Sequence, residues 1–119
     1  MVLLLMGLAP ATLRAQALLE KQADLDAVFA VNDPAAIHLI LEAKKRGLRV
    51  GPDLGIVGFS NDSRSEIIEP SLTTLEQPIE QMAETCVHLL LNKINDPQFS
   101  VPATTVLKTR LIERWSSRR

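Results

Sequence analysis

Two short apolar runs separated by one well-marked helix constrain the fold of this 119-residue chain more than any other feature. The first run spans residues 27–31 and the second spans residues 54–59. Between them, Pro34 suits the first turn of a helix and Gly47 suits the position just after its end. A strand, a helix and a second strand in this order form a βαβ unit, in which the strands are parallel and the connection is right-handed. The sequence therefore predicts an α/β fold built on a parallel sheet.

Weaker patterns extend this unit on both sides. Residues 13–22 have a helical apolar period, and Thr12 is a candidate N-cap for that helix. Residues 72–75 form another strand candidate, and Pro78 then opens a helix with one apolar face. That face carries Ile79, Met82, Ala83, Cys86, Leu89, Leu90 and Ile94. Residues 104–112 are predicted to be extended, and the last four residues are predicted to form a polar tail.

The N-terminal apolar run, residues 2–9, has two interpretations. Together with the small residues around Gln16 it resembles a secretion signal and its cleavage site. Against this, no Lys or Arg precedes the run, and it is too short to span a membrane. The alternative is part of a buried strand, or a tag. Because the single Cys86 cannot form an intrachain disulfide, nothing requires an oxidising compartment, and we expect a cytoplasmic protein without a membrane partner.

Charge and motif content argue against several classes of function. The formal net charge is −1 and the Lys and Arg residues are scattered, so the chain itself has no basic surface for DNA. Neither His38 nor His88 has a second ligand at metal-binding spacing. The glycines form neither a phosphate-binding loop nor a nucleophile elbow. We therefore expect no enzymatic activity, no cofactor and no metal.

Polar side chains follow both apolar runs, where the predicted strands end. Asn32 and Asp33 follow the first strand, and Ser60, Asn61 and Asp62 follow the second. In an open parallel sheet, ligands bind at this edge, and amide, hydroxyl and carboxylate groups suit the hydroxyls of a neutral polyol. The same residues are equally suited to local structure, because the first pair can cap a helix and the second group can form a turn. Both interpretations remain open from spacing alone.

Surplus apolar residues also suggest a subunit contact. The helix over residues 34–46 is apolar around more than one face, and Ile67 and Ile68 form an apolar pair in polar surroundings. Burial between the sheet and a neighbouring helix of the same chain explains the pattern equally well.

Four segments, in order, resemble the LacI-type (lactose-repressor) family of transcriptional regulators. They are Asp26 to Asp33, Gly58 to Asn61, Pro70 to Pro78, and Leu107 to Ser117. The resemblance covers nearly the whole chain. It implies a truncated periplasmic-binding-protein-like fold of type I, whose parts are residues 1–75 in the C-terminal effector-binding lobe, 76–108 in the N-terminal lobe, and 109–119 returning to the C-terminal lobe.

The resemblance also implies a function. Such regulators carry a DNA-binding headpiece and a two-lobed core that senses a small molecule, and this chain matches only part of the core. We expect it to bind a sugar or a related effector, to form a homodimer, and to reach operator DNA only through a headpiece absent from the chain. The alternative is a sugar-binding protein of a transport system, which shares the fold and requires export.

Individual residues acquire roles through the same resemblance. Asn32 matches the asparagine that contacts effector in the family, and Ser60 stands where many members carry an effector-binding aspartate. Because the carboxylate is missing there, Asn61 or Asp62 is expected to contribute instead. Gln77 lies at the crossover between lobes, near the expected cleft. The positions that match the neighbourhood of the family's dimer interface are Ile37, Ile40 and Ile68.

Overall fold

In the computed structural model, the described residues are 2–5, 11–21, 24–102 and 104–119. The chain divides into two compact units. The first unit comprises Met1–Glu76 together with Leu111–Arg119, and the second comprises Gln77–Arg110.

The first unit is built on a parallel sheet with helical crossovers. Its elements are β1 (Val2–Leu5), α1 (Ala11–Lys21), β2 (Ala27–Ala30), α2 (Asp33–Lys45), β3 (Gly55–Phe59), α3 (Arg64–Ile67), β4 (Thr73–Glu76) and a 3₁₀ turn (Trp115–Ser117). The last strand, β5 (Arg110–Ile112), begins at the final residue of the second unit and continues into the first. The strands lie in the order β1-β2-β3-β4-β5, and the first four pair in parallel. The α/β prediction is therefore confirmed. The N-terminal apolar run contributes β1 to this sheet.

Helix α2 supplies much of the core of the first unit. It packs against α1 and against β3, and its buried apolar residues are Ala35, Ala36, Leu39, Ile40 and Ala43. They meet Val28 and Ile56 from the sheet. Burying a Leu or Ile side chain contributes about 1.5–3 kcal/mol relative to leaving it in water. Ile40 is wholly covered in this core, which corrects the expectation that its side chain faces a second subunit.

Several element boundaries differ from the sequence-based expectations. Thr12 lies inside α1 and does not precede it, because the helix begins at Ala11. Asn32, and not Asp33, is the N-cap of α2. Of the extended stretch 104–112, only the last three residues form strand in the described part of the chain. β-branched residues favour a strand only where a neighbouring strand provides pairing and packing.

The second unit is dominated by α4 (Ile79–Asn95), which begins after Pro78 as predicted. No residue of this helix is buried. Six of its large apolar residues keep between 44% and 65% of their surface exposed; they are Ile79, Met82, Val87, Leu90, Leu91 and Ile94. An amphipathic helix normally covers such a face with a neighbouring element. The apolar face of α4 is therefore available for contact.

Candidate functional site

Asn32 joins the end of β2 to the start of α2. Its backbone is extended, with φ −156° and ψ 166°, and its side-chain oxygen accepts a hydrogen bond from the backbone N–H of Ala35 at 2.9 Å. Capping of this kind contributes about 1 kcal/mol to helix stability. The cap uses only the oxygen of the amide. Within the described part of the chain the side-chain NH₂ group has no partner, and the residue is exposed.

The loop after β3 has an unusual backbone conformation at two successive residues. Ser60 has φ 120° and Asn61 has φ 51°, a region that side-chain-bearing residues seldom adopt. Each such residue costs on the order of 1–3 kcal/mol unless the surroundings hold it. Two bonds to β4 do so: Ser60 N–H donates to the Leu75 carbonyl at 2.9 Å, and Asn61 N–H donates to the Thr74 hydroxyl at 3.2 Å.

The two side chains of this loop differ in their freedom. The Asn61 amide donates to Glu76 at 3.0 Å and accepts from Arg114 at 3.1 Å, so its orientation is set within the chain. The Ser60 hydroxyl is half-buried and has no hydrogen-bond partner among the described residues. Ser60 is therefore the better placed of the two to contact a ligand.

Asp33 is wholly buried, although it was expected to contact effector. One carboxylate oxygen accepts from the Asp62 N–H and from the Ser65 hydroxyl, both at 2.7 Å. The other oxygen accepts from the Thr74 hydroxyl at 2.6 Å. A side chain at Gly58 would overlap the same carboxylate. These contacts occupy both oxygens and exclude solvent, which corrects the expectation that Asp33 itself is a ligand.

The Asp62 carboxylate is also engaged within the chain, but its partner is a positively charged side chain. Its carboxylate accepts from Arg64 at 2.8 and 2.7 Å. These side-chain bonds, and then the Arg64 backbone N–H, lower the pKa of Asp62 to about 2. Asp62 remains ionised at neutral pH and its charge is compensated locally, so it is poorly suited to replace the aspartate that the family carries at position 60.

Among the five candidate residues that follow β2 and β3, two groups have no partner within the described part of the chain, the Asn32 NH₂ and the Ser60 hydroxyl. They follow β2 and β3, which pair directly in parallel with Phe29 opposite Val57, so both lie at the same edge of the sheet. An amide donor beside a hydroxyl that both donates and accepts suits a neutral polyol. Gln77 belongs to the second unit, and its place near this edge stays a prediction.

Two residues that organise this edge were not identified from the sequence. Thr74 was recognised only as part of a strand. Arg114 was recognised only as part of the C-terminal segment, yet its guanidinium is largely buried and donates to the Leu72 carbonyl, to Asn61 and to Glu66. No local sequence signal marks either role, because the partners lie 13 to 53 residues away along the chain.

The first unit also presents apolar surface. Ile67 is 82% exposed, whereas Ile37 and Ile68 are partly buried against the core. Near Ile67 and Ile68 lies an open cavity of about 700 Å³ whose wall includes Val50, Pro70 and Trp115. The Arg118 guanidinium lies 5.0 Å from the centre of the Trp115 ring.

Two other features are absent from the described part of the chain. It contains no group of three or more His, Cys, Asp or Glu residues arranged to hold a metal ion. Among the same residues, no helix is both long enough and apolar enough to cross a membrane.

Comparison with known proteins agrees with this architecture. The periplasmic binding protein-like domain family matches residues 6–117. The transcriptional regulator MalR of Clostridium butyricum is 40% identical over 99 residues, which is 83% of this chain and 29% of that protein. CelR of Thermobifida fusca is 33% identical over the same shares. The chain thus spans less than a third of the length of these relatives.

Solved structures give the same result. The chain is similar to the transcriptional regulator CelR in complex with cellobiose, with a TM-score of 0.81, 31% identity, and coverage of 89% of this chain and 32% of that one. It is also similar to the lac repressor dimer bound to operator and the anti-inducer ONPF, with a TM-score of 0.81, 26% identity, and coverage of 92% and 32%.

The chain belongs to the periplasmic binding protein-like domain family. Within it, the relatives are helix-turn-helix transcriptional regulators and the structural neighbours include LacI-family regulators. The resemblance to LacI-type regulators read from the sequence is therefore confirmed.

Proposed function

We propose that this chain is the effector-sensing and dimerisation part of a LacI-type regulator, and that its effector is a sugar or a related polyol. The observation that carries the proposal is that the Asn32 NH₂ group and the Ser60 hydroxyl lie at the carboxyl edge of adjacent parallel strands, and neither has a hydrogen-bond partner among the described residues. Ligands of open parallel sheets bind at this edge. The CelR structure, which contains cellobiose, supports a sugar as the ligand class.

The surroundings of these groups favour a neutral ligand. The nearby carboxylates already have donors, Asp33 from neutral groups and Asp62 from Arg64. A cationic ligand would find both of these carboxylates already occupied by donors of the chain itself. Sugar hydroxyls require only donors and acceptors, which the amide and the hydroxyl provide.

In the whole regulator, the proposed role is indirect. Effector contacts both lobes and biases their relative orientation, and a headpiece outside this chain meets operator DNA. Residues 1–75 would supply the C-terminal lobe, 76–108 a piece of the N-terminal lobe, and 109–119 the return. We place the protein in the cytoplasm and assign it no enzymatic activity, in keeping with relatives that are transcriptional regulators.

The dimerisation part of the proposal uses the exposed apolar surface of the first unit. Ile67 is almost fully exposed, and Ile37 and Ile68 retain partial exposure. An exposed isoleucine beside other apolar residues is typical of a protein contact. The lac repressor, a structural neighbour, is a dimer.

The test separates the capping role of Asn32 from ligand contact. Asn32→Asp keeps an oxygen to accept the Ala35 N–H but removes the NH₂ donor, whereas Asn32→Ala removes both. Amide chemical shifts of isotope-labelled chain are followed during titration with cellobiose, maltose, lactose and D-ribose, since shifts detect weak binding. We expect one sugar to shift the Asn32 and Ser60 amides in the wild type.

The variants give the decisive comparison. Asn32→Asp should retain the thermal midpoint and lose the sugar response, whereas Asn32→Ala should lose the response and about 1 kcal/mol of stability. If the sugar response survives in Asn32→Asp, the NH₂ group of Asn32 does not contact the ligand. If no sugar shifts either amide in the folded wild type, the sugar-sensing proposal fails.

A further inference from the structure

We propose that Asp33 is a positioning residue, whose buried carboxylate holds the Ser60–Asp62 loop in its positive-φ conformation through Asp62 and Thr74, so that the loop meets an effector already in binding geometry. The inference rests on the proposed function, because it gives the geometry of the loop a purpose. It replaces the earlier expectation that Asp33 touches the ligand.

The first step of the argument is the burial of the carboxylate. Asp33 has no exposed surface, and its three hydrogen-bond donors are one backbone amide and two hydroxyls, none of which carries a formal charge. Burying a carboxylate is costly unless its oxygens are satisfied by hydrogen bonds. Side-chain caps need no such burial, and here Asn32 provides the cap of α2. Helix capping therefore does not explain why the Asp33 carboxylate is buried.

The second step is the direction of the hydrogen bonds. Thr74 donates its single hydroxyl proton to Asp33 at 2.6 Å, so the hydroxyl oxygen faces the Asn61 N–H as an acceptor at 3.2 Å. A carboxylate only accepts, which fixes the polarity of this relay. The next amide, that of Asp62, donates to the carboxylate directly at 2.7 Å. The backbone amides of Asn61 and Asp62 are thus both held by the Asp33 carboxylate, the first through the Thr74 hydroxyl and the second directly.

The third step is the location of this support. The two positive-φ residues, Ser60 and Asn61, come immediately before the amide that Asp33 accepts. Strained backbone persists only where its surroundings over-determine it. Asp33 also follows Asn32 directly in sequence. The buried Asp33 carboxylate therefore links Asn32, which carries the free NH₂ group, to the loop that carries the Ser60 hydroxyl. Gly58 leaves the space that the carboxylate occupies.

The chain offers a closely matched pair of variants. Thr73 and Thr74 are adjacent on β4, both are buried, and both use their hydroxyls in hydrogen bonds. Thr73 bonds to Arg114 and Ser117, whereas Thr74 bonds to Asp33 and Asn61. Thr74→Val and Thr73→Val therefore remove equivalent groups, but only Thr74→Val interrupts the relay. Thr74→Ser keeps the hydroxyl and should restore it.

The primary measurement is hydrogen exchange of the Asn61 and Asp62 backbone amides. Each variant is measured at the same interval below its own thermal midpoint, so that differences in global stability do not enter the comparison. We expect Thr74→Val to lower protection of the Asn61 amide about tenfold, the change expected for losing one hydrogen bond. Thr73→Val should leave it unchanged, and Thr74→Ser should return it to the wild-type value. Asp33→Asn should lower the protection of both amides. In the double variant with Thr74→Val, the loss of protection should be smaller than the sum of the two single losses, because both substitutions break the same hydrogen-bond network.

Sugar titration of the same variants adds the functional measurement. With whichever sugar of the panel shifts the wild-type amides, Thr74→Val should weaken the apparent affinity at least about tenfold more than Thr73→Val does. Equal effects of the two valine variants on loop protection would overturn the positioning role. If no sugar binds but the contrast in protection holds, the proposed function fails while the positioning role stands.

Discussion

At the scale of single residues, one carboxylate accounts for several features of the polar edge. Asp33 accepts from groups on two elements and one loop, and it does so in the space above Gly58. The identity of position 58 is thus set by a side chain 25 residues earlier in the chain. Glycine is required there because any Cβ would overlap the carboxylate, and not because the backbone needs a positive φ.

Gly58→Ala should therefore displace Asp33 and destabilise the chain. We expect a loss of about 1–3 kcal/mol in unfolding free energy, as for other overpacked core positions, measured by urea denaturation. Gly55→Ala is the matched control on the same strand, because its Cβ would meet the Ala27 Cβ at an ordinary 3.4 Å. Comparable losses in the two variants would contradict the overlap with Asp33.

At the scale of elements, the C-terminal segment is part of the core of the first unit. The sequence predicted a polar tail, but Ser116 is wholly buried. Its hydroxyl donates to the Ile56 carbonyl at 2.6 Å and accepts from the Thr73 N–H at 2.8 Å. The 3₁₀ turn that carries Ser116 thereby bridges β3 and β4. A short polar residue suits this place because it satisfies two backbone groups at once.

Ser116→Ala should leave both of these backbone groups without their partner. The expected cost is about 1–3 kcal/mol in unfolding free energy, because buried polar groups would lose hydrogen bonds that water cannot replace. Ser117→Ala serves as the control, since Ser117 is half-buried and its hydroxyl bonds only to the Thr73 hydroxyl among the described contacts. A loss in Ser116→Ala no larger than in Ser117→Ala would show that water reaches the site.

At the scale of the whole molecule, two apolar surfaces are exposed in different units. Ile67 represents the surface in the first unit, and Leu90, which is 60% exposed, represents the apolar face of α4 in the second. The proposed homodimer uses the first surface. The second lacks a covering element within the described chain, which spans less than a third of its relatives.

Ile67→Glu and Leu90→Glu should therefore affect self-association differently. We expect Ile67→Glu to weaken dimer formation at least about tenfold, the effect of losing one strong interface contact, as measured by sedimentation velocity over a concentration series. Leu90→Glu should instead reduce non-specific aggregation and leave the dimer intact. Neither should lower the thermal midpoint of dilute protein, because both side chains are exposed. If the dimer is lost only in Leu90→Glu, the dimer contact lies on α4 and not at Ile67.

Local sequence patterns were enough to predict the parallel βαβ arrangement, the position of α2 and the start of α4. Apolar runs of strand length, a proline at the helix start and a glycine after its end are local signals, and they act within a few residues. Local signals also placed Asn32 and Ser60 at the carboxyl edge, because they directly follow strands. Four segments in order were sufficient to indicate the LacI-type family.

Packing between distant segments sets which of the clustered polar side chains are free to bind a ligand and which are held by hydrogen bonds within the chain. The Asn32 oxygen caps its own helix through the nearby Ala35 N–H. Asp33, Asn61 and Asp62 instead bond to Thr74, Arg114 and Arg64, and the first two of these partners lie far away along the chain. The same holds for Ile40 and Ile67, one wholly buried and the other largely exposed. Burial is a property of packing between distant segments, so residues of one chemical type acquire opposite roles.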